Sequence, residues 1–276
     1  MKKEKSYRGL VAFDVDNTLL DHNTWRIPDS AVRGIRELRR NGYLTAIATG
    51  RNMHDRHSEK YLSVIQSDAL VHMNGTRVEL RDAQALPDWQ PGELLTDHLM
   101  DRELLQRILR FSEENHYAVG ACIADKDYFT HTEDVVRHDI RYWGSSDRSF
   151  GDPAELLRLP VRALAYCGGR EGGEALQRAF PELHVFMFSE STGADLFEVG
   201  YSKLDGLRVL AERFGIDWAE SYAFGDSFND RVMLEGVAHG IAMGNAVPAI
   251  RDCADYVTDP IGEDGIWNAL RHFGLV

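Results

Sequence analysis

Over residues 10–80, short apolar runs alternate with segments whose apolar side chains return every three or four positions, and the alternation resumes from about residue 196. The runs at 10–13, 43–48 and 69–73 predict buried strands, because a strand covered on both faces of a parallel sheet reads as continuously apolar. Between the first two, Val32, Ile35 and Leu38 predict a helix over 30–40, with Asp29 as its expected N-cap and Gly42 just past its end. A second helix is expected over about 52–66. Asn74-Gly75, between 69–73 and 76–80, is a hairpin signal.

The pattern changes after residue 81. Residues 82–92 are polar and contain Pro87 and Pro91, which reads as a connector leaving the first sheet. Beyond it, Leu104, Leu105, Ile108, Leu109 and Phe111 predict a helix within 101–116, followed by strands at 117–124 and 128–131. After a polar stretch at 144–153 come a strand at 161–167, a helix near 171–180, and strands at 183–188 and 196–199. The last part returns to alternation: helices at 203–214, 228–234 and near 266–273, with strands at 221–224 and 239–243. These elements predict an α/β protein with one parallel-stranded, Rossmann-like core built from both chain ends (1–81 and 196–276) and an α+β insertion at 82–195.

Composition narrows the functional classes. The 276 residues are 43% hydrophobic and 27% charged, enough to bury a large core. A formal net charge of −13 argues against nucleic acid or an anionic membrane as partner, since both need a basic surface. The start Met1-Lys2-Lys3-Glu4-Lys5 is basic, but the apolar stretch after it is short and ends at Asp14, so neither a signal peptide nor a membrane span is expected and the cytoplasm is the default. Cys122, Cys167 and Cys253 lack metal or redox spacing, and the eleven His residues contain no His-Glu-x-x-His. Gly168 to Gly173 lacks the Gly-Lys-Ser/Thr ending of a phosphate loop.

Four groups of residues fall at expected strand ends or helix starts. Asp14 and Asp16, in Phe13-Asp14-Val15-Asp16-Asn17-Thr18, follow the first strand; two carboxylates so close need a cation, a shared proton or solvent. Ala48-Thr49-Gly50-Arg51 offers a hydroxyl and backbone N–H groups suited to a phosphate. Lys203 opens a helix, where its ammonium could neutralise a phosphoryl oxygen. Gly225-Asp226-Ser227-Phe228-Asn229-Asp230 offers oxygen ligands of the kind a hard cation such as Mg²⁺ takes.

Taken together and in this order, these motifs resemble those of the haloacid dehalogenase (HAD) superfamily of phosphotransferases: Asp-x-Asp-x-Thr, Ser or Thr, Lys, then Gly-Asp-x-x-x-Asp. The insertion between Thr49 and Lys203 resembles the larger type of cap, and Ala242-Met243-Gly244-Asn245-Ala246 with Asn74-Gly75 resembles the Cof-type phosphatases within that group. Two departures stand out: Asn17 where Gly is usual, and Ser202-Lys203-Leu204-Asp205-Gly206 where relatives commonly run Lys-Gly.

The resemblance implies a Mg²⁺-dependent phosphatase acting on a small phosphomonoester such as a sugar phosphate. It implies Asp14 as nucleophile and metal ligand, and Asp16 as acid and base with its backbone carbonyl on the metal. Asp226 would be a further metal ligand, with Asp230 supporting it or Lys203. The phosphoryl oxygens would be held by Thr49, Lys203, Asn229 and the amides of Val15 and Gly50. Arg51, Arg141 and Tyr142 are candidates to touch substrate. Two other readings stay open at this point: a phosphomutase or phosphotransferase delivering the group to a sugar hydroxyl, and a phosphate-binding regulatory protein without turnover.

Overall fold

A computed structural model describes residues 6–82, 90–188 and 192–276. The chain forms two compact units, residues 1–97 with 201–276, and residues 98–200. In chain order the elements of the first unit are β1 (Leu10–Phe13), α1 (Asp29–Arg40), β2 (Leu44–Ala48), α2 (Glu59–Ile65), β3 (Ala69–His72), β4 (Arg77–Arg81) and β5 (Pro91–Asp97). The inserted unit carries α3 (Arg102–Asn115), β6 (Ala118–Ile123), β7 (Lys126–Phe129), α4 (Thr132–Trp143), β8 (Leu164–Cys167), α5 (Arg170–Ala179), β9 (Leu183–Met187) and β10 (Gly193–Glu198). The first unit resumes with α6 (Lys203–Phe214), β11 (Ser221–Gly225), α7 (Arg231–Gly236), β12 (His239–Ala242), α8 (Pro248–Arg251), β13 (Tyr256–Val257) and α9 (Gly265–His272).

The first unit is one sheet in the order β13-β12-β11-β1-β2-β3-β4-β5, parallel from β13 to β3 and antiparallel at β4 and β5. Successive side chains of a strand point to opposite faces, so β1 sends Val11 and Phe13 to one layer and Leu10 and Ala12 to the other. On the first face lie α1, α2 and α9 through Ile35, Leu38, Leu62, Ile65, Ile266 and Leu270; on the second lie α6, α7 and α8 through Leu204, Leu207, Leu210, Met233 and Ile250. Double burial is why these strands read as unbroken apolar runs. The chain leaves β1 toward β2 on one side and returns as β11 on the other, which makes the carboxyl ends of β1, β2 and β11 the place where an open α/β sheet binds ligands.

The second unit has its own antiparallel sheet, β7-β6-β8-β10-β9, over a core that includes Leu105, Ile108, Val119, Leu156, Leu164, Leu176 and Leu196. Arg148 ties this unit together. Its guanidinium donates to Asp139 Oδ2 at 2.8 Å and to Asp127 Oδ1 at 2.9 Å, and both carboxylates are buried.

Several expectations are corrected. Pro28, and not Asp29, occupies the cap position of α1, and Asp29 lies in the first turn, where its charge still suits the helix dipole. The helix expected over 52–66 begins only at Glu59, because Asn52 and Asp55 accept from the amides of His54, His57 and Ser58 and hold the preceding segment in Asx turns. The connector expected at 82–92 is in part a strand: Pro91 to Asp97 pairs with β4, its irregular register and mostly exposed residues having erased the apolar signal. Residues 83–89 of that connector lie outside the described residues. The boundaries expected at 82 and 195 thus differ from the division of the two units at 97/98 and 200/201. The segment 228–234 opens with a tight turn at Phe228–Asp230 before α7 begins at Arg231. Helix α4 was not foreseen. Among the described residues no helix is long and apolar enough to cross a membrane.

Arg148→Ala leaves two buried carboxylates without their cation, and is expected to destabilise the inserted unit by about 3 kcal/mol. Urea unfolding followed by tryptophan fluorescence measures this, and adding Asp127→Asn and Asp139→Asn should recover part of the loss.

Candidate active site

Asp14 sits one residue beyond β1, its amide donating to Phe224 O at 3.0 Å, so the loops after β1 and β11 are tied side by side. The next turn closes on the Val15 carbonyl, which accepts from the amides of Leu19 at 2.9 Å and Leu20 at 2.7 Å. Asn17 takes φ 53°, the left-handed conformation that Asn tolerates better than most residues, so its replacement of Gly leaves the turn intact. Its carbonyl accepts from Asn245 Nδ2 at 2.8 Å, which anchors the turn to the segment after β12.

Lys203 is the first residue of α6. Ser202 caps the helix by accepting from the Asp205 amide at 3.1 Å, so the departure from Lys-Gly leaves the helix start defined. The Asn74-Gly75 turn packs directly behind it: a Cβ on Gly75, whose φ is +90°, would lie 2.0 Å from the Ser202 carbonyl oxygen. The Lys203 ammonium then donates to Asp14 Oδ1 at 2.7 Å and to Asp230 Oδ1 at 2.6 Å, with all three groups buried.

Asp230 spends its other oxygen on the loop after β11. Its Oδ2 accepts from the amides of Asp226 at 2.9 Å and Ser227 at 3.0 Å, which fixes the direction of the Asp226 backbone. Gly225 makes room for this carboxylate, since a Cβ there would lie 2.6 Å from Asp230 side-chain atoms. Asp226 accepts a long hydrogen bond from the Thr18 hydroxyl at 3.5 Å. Asn229 lies half-buried on the turn Phe228–Asp230.

The electrostatics are unbalanced. Oxygens of Asp14, Asp226 and Asp230 lie within 4.8 Å of one another, and among the described residues the Lys203 ammonium is the cation hydrogen-bonded to this group, through Asp14 and Asp230. Burial, then Asp230, pushes the Asp14 carboxyl up to about 8 against the pull of Lys203. Asp226 is likewise raised well above the usual range, by burial first and then by Asp230 and Asp14. Burial alone would lower Lys203, but Asp14 and Asp230 outweigh it and hold the ammonium charged. A buried, oxygen-only donor set with surplus negative charge fits a hard divalent cation.

Asp16 has a different environment. Arg51 grips it with Nε at 2.7 Å and a terminal nitrogen at 2.6 Å, and His22 Nε2 stands 2.5 Å from Oδ1 while its ring stacks on Trp25. Burial would raise this carboxyl, but the hydrogen bonds and charge of Arg51, joined by His22, hold it below the usual range. Thr49 is buried at the end of β2, its hydroxyl accepting from the Arg51 amide at 3.2 Å, with half-buried Gly50 between them. Arg51 therefore meets Asp16 through a fork that the sequence did not announce. His22 and Thr18 are further residues of the site; the fifth position of Asp-x-Asp-x-Thr is a signal for Thr18, while nothing in the sequence points to His22. Arg141 and Tyr142 belong to the inserted unit, where the guanidinium lies over its neighbour's ring at 5.4 Å.

A family model for haloacid dehalogenase-like hydrolases matches residues 11–270. The chain belongs to that family. It is 30% identical to "Putative phosphatase YkrA" of Bacillus subtilis over 275 residues, 97% of this chain and 98% of that protein. Over 249 residues it is 28% identical to the HMP-PP phosphatase of Escherichia coli, covering 88% of this chain and 86% of that protein. Its fold superposes on the HAD subclass IIB sugar phosphatase BT4131 with a TM-score of 0.82 at 25% identity, over 97% of this chain and all of the other. The protein is thus an enzyme, a hydrolase of the phosphatase kind with a Rossmann-like α/β core.

Asp230→Ala removes the acceptor shared by Lys203 and the Asp226 and Ser227 amides. Urea unfolding should show a loss of about 3 kcal/mol, with Asp230→Asn, which keeps one acceptor oxygen, losing less.

Proposed function

We propose that this HAD-family hydrolase is a Mg²⁺-dependent phosphatase that removes the phosphoryl group from a small phosphomonoester through a phosphorylated Asp14. The observation that carries this reading is the buried meeting of Asp14, Asp226 and Asp230 around Lys203. Asp14 and Asp226 would hold the cation with the Asp16 backbone carbonyl. When bound, Mg²⁺ would neutralise developing charge on the phosphoryl oxygens.

Phosphoryl transfer asks mainly for positioning and charge stabilisation. An Asp14 oxygen forms a bond to phosphorus as the phosphorus–ester oxygen bond breaks, and Asp16 protonates the departing oxygen. Water then attacks phosphorus, Asp16 takes its proton, and phosphate leaves with Asp14 restored. Lys203, Thr49, Asn229 and the Val15 and Gly50 amides would hold the phosphoryl oxygens. As it stands, Asp16 is a clamped anion, so proton transfer requires its carboxyl to turn out of the Arg51 fork.

Residues 98–200 are proposed as the cap that reads the leaving group. The relatives' names, a sugar phosphatase and an HMP-PP phosphatase, support a small phosphorylated metabolite as substrate class. The formal net charge of −13 disfavours nucleic acid or an anionic membrane as partner.

Release of phosphate from an aryl phosphate tests the reading. Chelation should abolish turnover and Mg²⁺ restore it. Asp14→Asn should cost roughly 10³-fold or more in kcat, and Asp16→Asn roughly 10² to 10⁴-fold. Equal rates with and without Mg²⁺ and in Asp14→Asn would overturn the mechanism.

A further inference from the structure

Far from Asp14 in sequence, the inserted unit gathers a second set of ligating groups. His116 ends α3 and His131 precedes α4, both in the left-handed conformation (φ 59° and 48°), and their rings meet with centroids 3.9 Å apart. Ligand atoms of His116, His131 and Glu133 lie within 4.8 Å of one another. More carboxylates surround them: His131 Nε2 stands 3.6 Å from Glu113, His131 Nδ1 3.9 Å from Glu133, and His116 Nε2 3.4 Å from Asp134. Arg137, 2.8 Å from Asp134, is the cation paired to this group of acids. The buried Nε2 of His131 makes no hydrogen bond among the described residues.

We propose that His116, His131 and Glu133 form a binding site for a borderline divalent transition metal, of which Zn²⁺ is the representative, tying the end of α3 to the start of α4. Two imidazole nitrogens with one carboxylate oxygen are the donor set of such metals, whereas Mg²⁺ prefers oxygen alone. Ligands on one tetrahedral Zn²⁺ stand about 3.3 Å apart given bonds near 2 Å. His116 and Glu133 are exposed, so their side chains can turn to close that distance. The acids supply a field that attracts a cation and acceptors for the imidazole N–H groups left outside the metal bonds.

The first unit holds a cluster of the same composition with a different chemistry. His54, His72 and Glu79 are equally close. There, however, His72 Nδ1 accepts from the Met53 amide at 3.2 Å, which puts the ring proton on Nε2, the atom 3.5 Å from Glu79, and Arg77 and His54 bind the same carboxylate. That cluster is a hydrogen-bonded carboxylate whose imidazole lone pair is already used. Among the described residues no hydrogen-bond donor is paired with His131 Nε2.

The site is independent of the phosphatase chemistry, and its test reads metal binding rather than turnover. The full chain, stripped of metal and held in excess Mg²⁺, is titrated with Zn²⁺ by calorimetry and followed by thermal unfolding. Wild type should bind one more equivalent of Zn²⁺ than His116→Asn/His131→Asn, and the rise in Tm with Zn²⁺ should vanish in that variant. Asn tolerates the left-handed backbone at both positions, and an unchanged urea midpoint without Zn²⁺ shows that the fold is kept. Glu133→Gln, an exposed change, should weaken Zn²⁺ binding at least about tenfold. Equal stoichiometry and affinity in wild type and the double variant would overturn the proposal, as would Zn²⁺ binding lost only in Asp14→Asn/Asp226→Asn.

Discussion

A lysine ammonium shared by two buried carboxylates, Lys203 with Asp14 and Asp230, is the constraint around which the core unit is arranged. Removing such charges from water costs several kcal/mol each, so the arrangement persists only where every partner is held at hydrogen-bond distance. The close approaches nearby meet that demand. Gly75 lets the β3–β4 turn lie against Ser202 and thereby sets the first turn of α6, and Gly225 leaves space for Asp230 to reach under its own loop. One carboxylate then serves two purposes, orienting the ammonium with one oxygen and the Asp226 backbone with the other.

The sheet makes this possible. Because β1 is flanked by β2 and β11, loops from distant parts of the sequence open at the same edge, and helices on both faces fix the strand ends that carry them. Charge is left unequal at that edge. One ammonium cannot balance three carboxylates, and the upward displacement of Asp14 and Asp226 comes from burial first and from that deficit second. Asp16, only two residues from Asp14, goes the other way because Arg51 satisfies it. Neighbouring carboxylates in one motif thus acquire opposite tendencies from their surroundings, which suits one to a cation and parks the other as an anion.

Legibility in the sequence followed the physics of each element. Helix α6 was read to the residue because its cap, its apolar stripe and its C-terminal Gly215 all act locally. The buried strands were legible for the same reason, their apolar runs reporting double burial. Strand β5 was hidden: its pairing comes from β4, and its own exposed residues carry no pattern. Helix α4 was hidden by a polar, acidic start and by the strand-like run ahead of His131. The helix expected from residue 52 lost its first part to Asx turns, where side chains compete with the helical hydrogen bonds.

By itself the sequence determined the α/β class, the alternation that builds the core from both chain ends, and which acids, hydroxyl and lysine stand at strand ends, because burial period and helix capping are written over a few consecutive residues. Only the tertiary structure decided that Lys203 bridges Asp14 and Asp230, that Arg51 and His22 clamp Asp16, and that His116 meets His131. Those contacts join residues distant in the chain or set by loop conformation, and their energies depend on distance and burial, quantities that no local pattern contains.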